Sequence, residues 1–157
     1  MSDSNQVPRA AEISTVKTPR EVWEHAVSHQ RTRDIDGWVD SFAVDGVIEW
    51  PFTPLGFPRR AEGREAIRAS VGPIWERAKE MNRKIMGHDR VVVHETSDPE
   101  VVVVEFDVVG EIAGKPFRQS LVYVVRARAG RIVLLRDYLD SAALNELLQT
   151  RPAAART

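Results

Sequence analysis

Apolar residues in the first half of the chain recur at the three-to-four-residue spacing of amphipathic helices. Residues 18–21 (TPRE) combine a capping threonine, a first-turn proline and a glutamate three residues after the cap, which predicts a helix start. Helical spacing continues from there to Gln30 and repeats over residues 34–42 and 64–79. Because proline removes a backbone donor and clashes with the preceding turn, Pro73 predicts a kink or two short helices in the last segment.

From residue 84 onward the pattern is that of β-strands. Turn signals separate segments rich in Val, Ile, Leu and aromatic residues, and the short connections predict an antiparallel meander. The predicted strands cover residues 85–95, 101–112, 117–128 and 131–138, preceded by a short strand at 47–52 and a loop at 53–63. A closing helix follows Asp140, its predicted cap, with an inner face formed by Leu144, Leu147 and Leu148.

Helices followed by a run of antiparallel strands predict the α+β class, with a curved sheet and helices packed on one side of it. Several strands are apolar on both faces, as at 101–104 and 121–125, whereas a sheet with one face in water alternates. Helices cover one face and a second subunit is the simplest cover for the other, so we expect a homodimer. Residues 1–17 are expected to form a flexible arm, 18–150 a single domain and 151–157 a flexible tail.

Composition narrows the function classes. The chain has 157 residues and a formal net charge of −1, so nothing favours nucleic acid or an anionic membrane as a partner. It contains no cysteine, which excludes disulfides, thiolate nucleophiles and cysteine-ligated metals. The sequence carries no signal-peptide pattern, membrane-length apolar run, phosphate-binding loop or dinucleotide fingerprint. We therefore expect a soluble, cytoplasmic protein that uses no cofactor.

Four segments together resemble one superfamily. Residues 34–42 (DIDGWVDSF), 45–51 (DGVIEWP), 62–68 (EGREAIR) and 130–140 (GRIVLLRDYLD) resemble the nuclear transport factor 2-like superfamily, and within it the SnoaL-like and phenazine-biosynthesis A/B-like groups. The resemblance covers about residues 20–149. It implies a cone-shaped α+β barrel, usually a homodimer, in which N-terminal helices pack over the concave face of the sheet and leave a pocket for a small molecule. It does not imply one function, because this fold hosts isomerases, cyclases, hydrolases and non-enzymatic binders.

Asp137 is the first candidate catalytic residue. By strand alternation it ends an apolar face shared with Val133 and Leu135, and an acid in that place is either a pocket group or a residue of the rim. The resemblance favours the pocket, because the phenazine A/B proteins and limonene epoxide hydrolase both place a functional acid in a segment similar to residues 136–138.

Asp107 is the second candidate, on the resemblance to limonene epoxide hydrolase alone. The second catalytic acid of that enzyme matches Asp107, and the arginine between its two acids matches Glu105. Alternation cannot decide whether Glu105 and Asp107 face the pocket or the outer side of the sheet. If both shared a cavity with Asp137, at least one carboxyl would stay protonated near neutral pH unless an arginine answered it, Arg118 being the nearest in sequence.

The leading hypothesis is a cofactor-independent enzyme that uses general acid–base chemistry in a hydrophobic pocket. Its reaction would be an isomerisation, cyclisation, dehydration or epoxide opening on a hydrophobic or polycyclic compound, as in secondary metabolism. The alternative is a non-catalytic dimeric module that binds a ligand or a protein. The predicted substrate-binding residues are Trp50, Ser70, Trp75, Glu105, Phe117, Gln119, Leu121 and Tyr123.

Histidines do not predict a metal site. His25 and His29 lie four residues apart on a predicted helix, a spacing that can bind a metal, but no third ligand is anchored nearby in sequence. A solvated or partly packed helix face is the better interpretation. His88 and His94 fall near strand ends, where the pattern leaves open whether they lie at a pocket rim or on the surface.

Overall fold

The described part of the chain, residues 17–149 of a computed structural model, contains four helices and six strands. The helices are α1 (Pro19–Thr32), α2 (Ile35–Asp40), α3 (Arg64–Glu80) and α4 (Ser141–Gln149). The strands are β1 (Phe42–Glu49), β2 (Arg60–Glu62), β3 (Arg83–Glu95), β4 (Val101–Ile112), β5 (Lys115–Arg128) and β6 (Arg131–Tyr138). The predicted tail, and all but the last residue of the predicted arm, lie outside the described residues. Within the described range no helix has both the length and the apolar run needed to cross a membrane.

The six strands form one sheet in the order β2-β1-β6-β5-β4-β3. Strands β3 to β6 make the predicted antiparallel meander, and β1 joins it by pairing parallel with β6. Strands β2 and β3 are the two edges, so the curved sheet stays open between them. The predicted α+β class is confirmed, and the barrel implied by the resemblance takes the form of a curved, unclosed sheet.

Strands β1 and β2 differ from their predicted bounds. β1 begins at Phe42, which the helical pattern had included, and β2 lies inside the predicted loop. Pairing with other strands determines the bounds of both β1 and β2, since Phe42 pairs with Ile132 of β6 and Glu62 of β2 pairs with Val47. Gly46 allows the close approach, because a Cβ there would lie 2.8 Å from the Ile132 carbonyl oxygen. Local spacing cannot predict strands that depend on such distant partners.

Helix α3 runs unbroken through Pro73, so the prediction of two short helices is wrong. Gly72 precedes the proline and carries no Cβ, which reduces the clash between the proline ring and the residue before it. Ile67 and Val71 on the same helix are buried in the core. Their burial offsets the cost of the backbone hydrogen bond that Pro73 removes.

The core lies between the concave face of the sheet and helices α1 to α3. Helix α1 begins as predicted, with a reciprocal capping box of Thr18 and Glu21. Trp23 of α1 packs edge-on against Phe106 of β4, with ring centroids 5.3 Å apart, and both side chains are buried. This contact fixes which side of β4 is the inner one, and the residues in register with Phe106 on the neighbouring strands face the helices with it.

Helix α4 closes the described chain as predicted. Asp140 is its cap, and its Oδ1 atom accepts hydrogen bonds from the backbone N–H groups of Ala142 and Ala143. Leu144 is buried, as expected for the inner face. The side chains of Leu147 and Leu148 lie outside the described residues.

The outer face of β4 and β5 carries the half-buried valines on which the homodimer prediction depends. Val103 and Val124 pair directly across the two strands. An arginine there would place a charge inside a sheet-to-sheet interface, so we expect Val124→Arg to reduce the mass in solution from twice the 17.7 kDa chain mass to one chain mass. Light scattering measures it, with Val44→Arg, at a 77% exposed position, as the control. A single-chain mass for the wild type would contradict the homodimer, which stays a prediction.

Candidate active site on the concave face

Asp137 lies on the concave face near the end of β6, directly opposite Tyr123 of β5. The register between these strands shifts opposite residues 132–134, so Ile132 and Leu135 are buried inside with it, rather than Val133 as simple alternation predicts. A bulge of this kind re-aims the side chains that follow it. Asp137 follows the buried Leu135 by two residues and lies opposite the buried Tyr123, so it faces the concave side of the sheet.

The environment of the Asp137 carboxyl favours its neutral form. Its Oδ1 atom is buried and has no hydrogen-bond partner within the described residues. Burial raises the pKa of Asp137 to about 7, although a hydrogen bond from the Trp50 side chain acts in the opposite direction. A carboxyl with this pKa is present in both protonation states at neutral pH, which is what a general acid–base needs.

Tyr123 is the neutral neighbour of this acid. Its side chain is buried, its ring stacks edge-on against Phe106 at 4.9 Å, and its hydroxyl is hydrogen-bonded to the Gln30 side chain. Burial and the nearby Asp137 charge raise the pKa of Tyr123 well above its usual value. The phenol therefore keeps its proton at physiological pH and remains a hydrogen-bond donor beside Asp137.

His88 extends this polar group on the β3 side. Its Nε2 atom lies 3.2 Å from Oε1 of Gln30, and its ring contacts Phe106 at 5.7 Å. Burial lowers the pKa of His88, so the ring is neutral at pH 7 and its Nε2–H donates to the Gln30 oxygen. Gln30 thus connects the two polar side chains, His88 and Tyr123.

A second polar group lies where β3 begins. The Arg83 guanidinium donates to Oε1 of Gln119 at 3.0 Å and stacks over the ring of Phe117, 4.4 Å from its centroid. Burial lowers the pKa of Arg83, which nevertheless stays charged at any physiological pH. Its field also reaches the Tyr123 hydroxyl. Gln119, which Arg83 bonds, and Tyr123, which lies opposite Asp137, are four residues apart on β5, so the cation and the acid lie at different places along the concave face.

Strand irregularity explains why sequence reasoning missed part of this site. The register of β3 against β4 shifts between Ile85 and Gly87, so the alternation that starts at Arg83 does not continue to His88. Gln30 appeared in the sequence only as one position of the α1 pattern. No local signal distinguishes Gln30, Arg83 and His88 from surface residues of the same types.

Most of the predicted pocket residues do lie inside. Asp137 shares the concave face with Trp50, Phe117, Gln119, Leu121 and Tyr123. Trp75 is partly buried at the α2–α3 contact, 6.0 Å from the ring of Trp38. The structure thus brings six of the ten predicted site residues to one face of the sheet.

Asp107 and Glu105 lie on the opposite, outer face, so their predicted place in the pocket is wrong. Phe106 takes the inner side of β4, and alternation sends its two neighbours outward. Asp107 is buried there at 2.5 Å from both Arg90 and Arg118 and accepts a hydrogen bond from Ser120. These partners hold the pKa of Asp107 well below its usual range.

Glu105 and Ser70 have other partners. Glu105 is exposed, and its carboxylate lies 2.6 Å from Nε2 of His94 on the outer face. The Ser70 hydroxyl donates to the Ala66 carbonyl of its own helix at 2.9 Å. A serine bonded back to the preceding turn uses its only proton there, so Ser70 is not the ligand donor that was predicted.

Among the grooves formed by residues 17–149, two are open to solvent and do not contain Asp137. One is lined by Met86, Val109, Gly110, Glu111, Pro116, Phe117 and Arg118. The other lies between α1 and β3 and is lined by Ser28, His29, Arg31, Thr32, Ile85 and Met86. Asp137 as a whole keeps partial exposure although its Oδ1 atom is buried. The polar side chains of the concave face named above therefore do not line either of these two grooves.

The described residues contain no group of three or more His, Cys, Asp or Glu side chains arranged to hold a metal ion. The histidines of α1 come close to each other, with 3.4 Å between the Nε2 atoms of His25 and His29. Nδ1 of His29 is bonded to Asp34, the cap of α2. The pair is thus partly packed at the α1–α2 corner.

An open, curved sheet with helices over its concave face is the fold of the nuclear transport factor 2-like superfamily. The chain belongs to the SnoaL-like domain family within it, whose sequence model matches residues 22–135. It is 32% identical over 139 residues to a PhzA/B-like protein of Pseudomonas aeruginosa, across 87% of this chain and 94% of that protein.

Solved structures agree with this assignment. A candidate isomerase from Bacillus subtilis superposes with a TM-score of 0.71 at 27% identity, over 83% of this chain and 91% of that one. A candidate polyketide cyclase from Xanthomonas campestris superposes with a TM-score of 0.57 at 14% identity, over 82% of this chain and 96% of that one. The second likeness, at that identity, is one of fold alone.

Proposed function

We propose that the protein is an enzyme without a cofactor that moves protons on a hydrophobic small molecule, as an isomerase or cyclase does. The observation that carries the proposal is the Asp137 carboxyl on the concave face, whose buried Oδ1 atom has no hydrogen-bond partner among residues 17–149. Ionisation of a buried acid of this kind destabilises the fold, so the presence of an acid at this position needs a reason other than stability. Proton transfer to and from a bound substrate supplies that reason.

The surrounding side chains support a balanced proton-transfer reaction. Ionised Asp137 takes a proton from a carbon next to a substrate carbonyl, and the electron pair of the C–H bond moves toward the carbonyl oxygen. A neutral phenol such as Tyr123 stabilises the oxygen anion that develops, because it donates a hydrogen bond without losing its proton. Asp137, now protonated, returns the proton at another carbon, and the apolar walls around Leu121 keep water away.

The outer position of Asp107 narrows the reaction types. Epoxide opening of the limonene epoxide hydrolase kind uses two acids and an arginine, and here only one of the matching acids is inside. Isomerisation and cyclisation need one acid–base group that changes its protonation state. The description of the Bacillus subtilis relative as a candidate isomerase, at 27% identity, supports the same choice.

A non-catalytic ligand-binding module is the second candidate. The observation that favours it is that neither of the two grooves at Met86 contains Asp137. A binder of this fold would hold its ligand without exchanging protons with it. Proton exchange therefore separates the two candidates.

The test is hydrogen–deuterium exchange at carbons next to a ketone. We expect the wild type to accelerate loss of the α-proton NMR signals of 2-tetralone in D2O, and Asp137→Asn to return the rate to the background. Asp140→Asn is the matched control and should exchange like the wild type, because asparagine also caps a helix. Equal exchange by wild type and Asp137→Asn would contradict the catalytic role, and no acceleration by either would favour the binding module.

A further inference from the structure

We infer that Arg83 binds a carboxylate of the ligand, so that the compound recognised on the concave face is an apolar organic acid. The inference names the substrate class of the site proposed above and therefore rests on that function. It depends on the charge balance around one half-buried guanidinium and on where that group lies relative to Asp137.

Among residues 17–149, Arg83 is the half-buried arginine without an acidic partner. Five arginines in residues 17–149 are neither exposed nor fully buried, and the other four pair with carboxylates. Those four are Arg64, Arg77, Arg126 and Arg136. A charge removed from water is costly unless an opposite charge answers it. Within the described chain, no carboxylate pairs with Arg83.

The contacts of Arg83 orient its guanidinium without neutralising it. Oε1 of Gln119, at 3.0 Å, occupies one N–H group, and the ring of Phe117 supports one face of the plane. Both partners carry no net charge. A guanidinium has five N–H donors in a flat fork, so a pair of parallel hydrogen bonds to a carboxylate remains possible beside Gln119. Two neutral supports that fix the plane of a cation are what a carboxylate-binding site requires.

Asp137 is not the missing counter-ion. Its carboxyl takes its hydrogen bond from Trp50, its Oδ1 atom has no partner in residues 17–149, and Arg83 is not among the causes that shift its pKa. Gln119, which Arg83 bonds, and Tyr123, which lies opposite Asp137, are four residues apart on the inner face of β5. A ligand whose carboxylate sits on Arg83 would therefore extend its carbon skeleton past Tyr123 toward Asp137.

The experiment compares two probes of nearly equal shape, 1-naphthoate and 1-naphthalenemethanol, by NMR titration of the ¹⁵N-labelled protein. We expect the wild type to bind the carboxylate about tenfold more tightly than the alcohol. Arg83→Gln should bind both probes equally, and Arg83→Lys should keep part of the preference because it retains a point charge. Arg59→Gln, which removes an exposed loop arginine, should keep all of it. Thermal unfolding checks that each variant is folded, and Arg83→Lys serves if Arg83→Gln is not.

Two results would overturn the inference. One is a wild type that binds the alcohol as tightly as the carboxylate. The other is Arg83→Gln, or Arg83→Lys in its place, with the full wild-type preference. The deuterium-exchange test separates this outcome from failure of the proposed function, because binding of the two probes requires no proton transfer. If the wild type shows the carboxylate preference while Asp137→Asn exchanges deuterium like the wild type, the anion site stands and the catalytic role of Asp137 fails.

Discussion

Asp137→Asn is expected to make the protein more stable at pH 8, by up to about 4 kcal/mol, while abolishing its proton transfer. The pKa of this carboxyl rises from 3.8 to about 7 on folding because burial disfavours the charge. Between these values the folded state binds more protons than the unfolded state. The stability that the neutral acid contributes is therefore complete below about pH 4 and is lost as pH rises through 7. Asparagine has no charge to bury, so the Asp137→Asn variant does not lose this stability as the pH rises.

Urea unfolding of wild type and variant at pH 4 and pH 8 measures this effect. The two proteins should have similar free energies of unfolding at pH 4 and should differ at pH 8, with the variant the more stable. Asp140→Asn serves as the control, because Asp140 is exposed and its cap is preserved by asparagine. A pH-independent difference between wild type and Asp137→Asn would mean that Asp137 does not ionise with a raised pKa.

Phe106→Ala is expected to lower the free energy of unfolding by about 3–5 kcal/mol. Phe106 is 2% exposed and makes edge-on contacts with Trp23 and Tyr123 as well as a ring contact with His88. Truncation to alanine removes these contacts and leaves a cavity that the rigid strands around it cannot close. Since the rings of Tyr123 and His88 belong to the polar group on the concave face, the same change should loosen the candidate site.

Phe52→Ala provides the comparison. Phe52 is 63% exposed and contacts only the ring of Tyr138 among the aromatic side chains described, with centroids 5.5 Å apart. Its truncation should cost about 1 kcal/mol or less. Chemical denaturation of both variants tests the prediction, and similar losses of stability in the two would contradict the position assigned to Phe106 at the centre of the core.

The sequence predicts well the elements that local signals define. β4 and β6 have their predicted bounds, α1 begins at its capping box, and Asp140 caps α4. β1 and β2 were harder to predict, because pairing with distant strands decides where they begin. For α3, Pro73 predicts a kink or two short helices, and the second of these is wrong, since the packing of a long helix outweighs the loss of one backbone hydrogen bond.

The site was predictable only where strand alternation or the resemblance indicated a side. Asp137 and Tyr123 are predicted to lie in the pocket and do lie on the concave face. Asp107 is predicted there only from a likeness to one enzyme, although Phe106 beside it is the larger apolar residue. Alternation along a β-strand allows two assignments of its residues to the inner and outer faces of the sheet. Only the helix packed against the strand shows which face is the inner one. His88 depends on a register shift in β3 that no residue pattern reveals.

NMR titration of the Asp137 side-chain carboxyl carbon tests the central claim most directly. The resonance is assigned by its loss in Asp137→Asn and followed from pH 3 to pH 10 in the wild type. A buried carboxyl that serves as a general acid–base should titrate with a pKa of about 7. A pKa near ~3.9, the value of an exposed aspartate, would contradict the account by showing that the side chain is solvated or ion-paired like an ordinary surface acid.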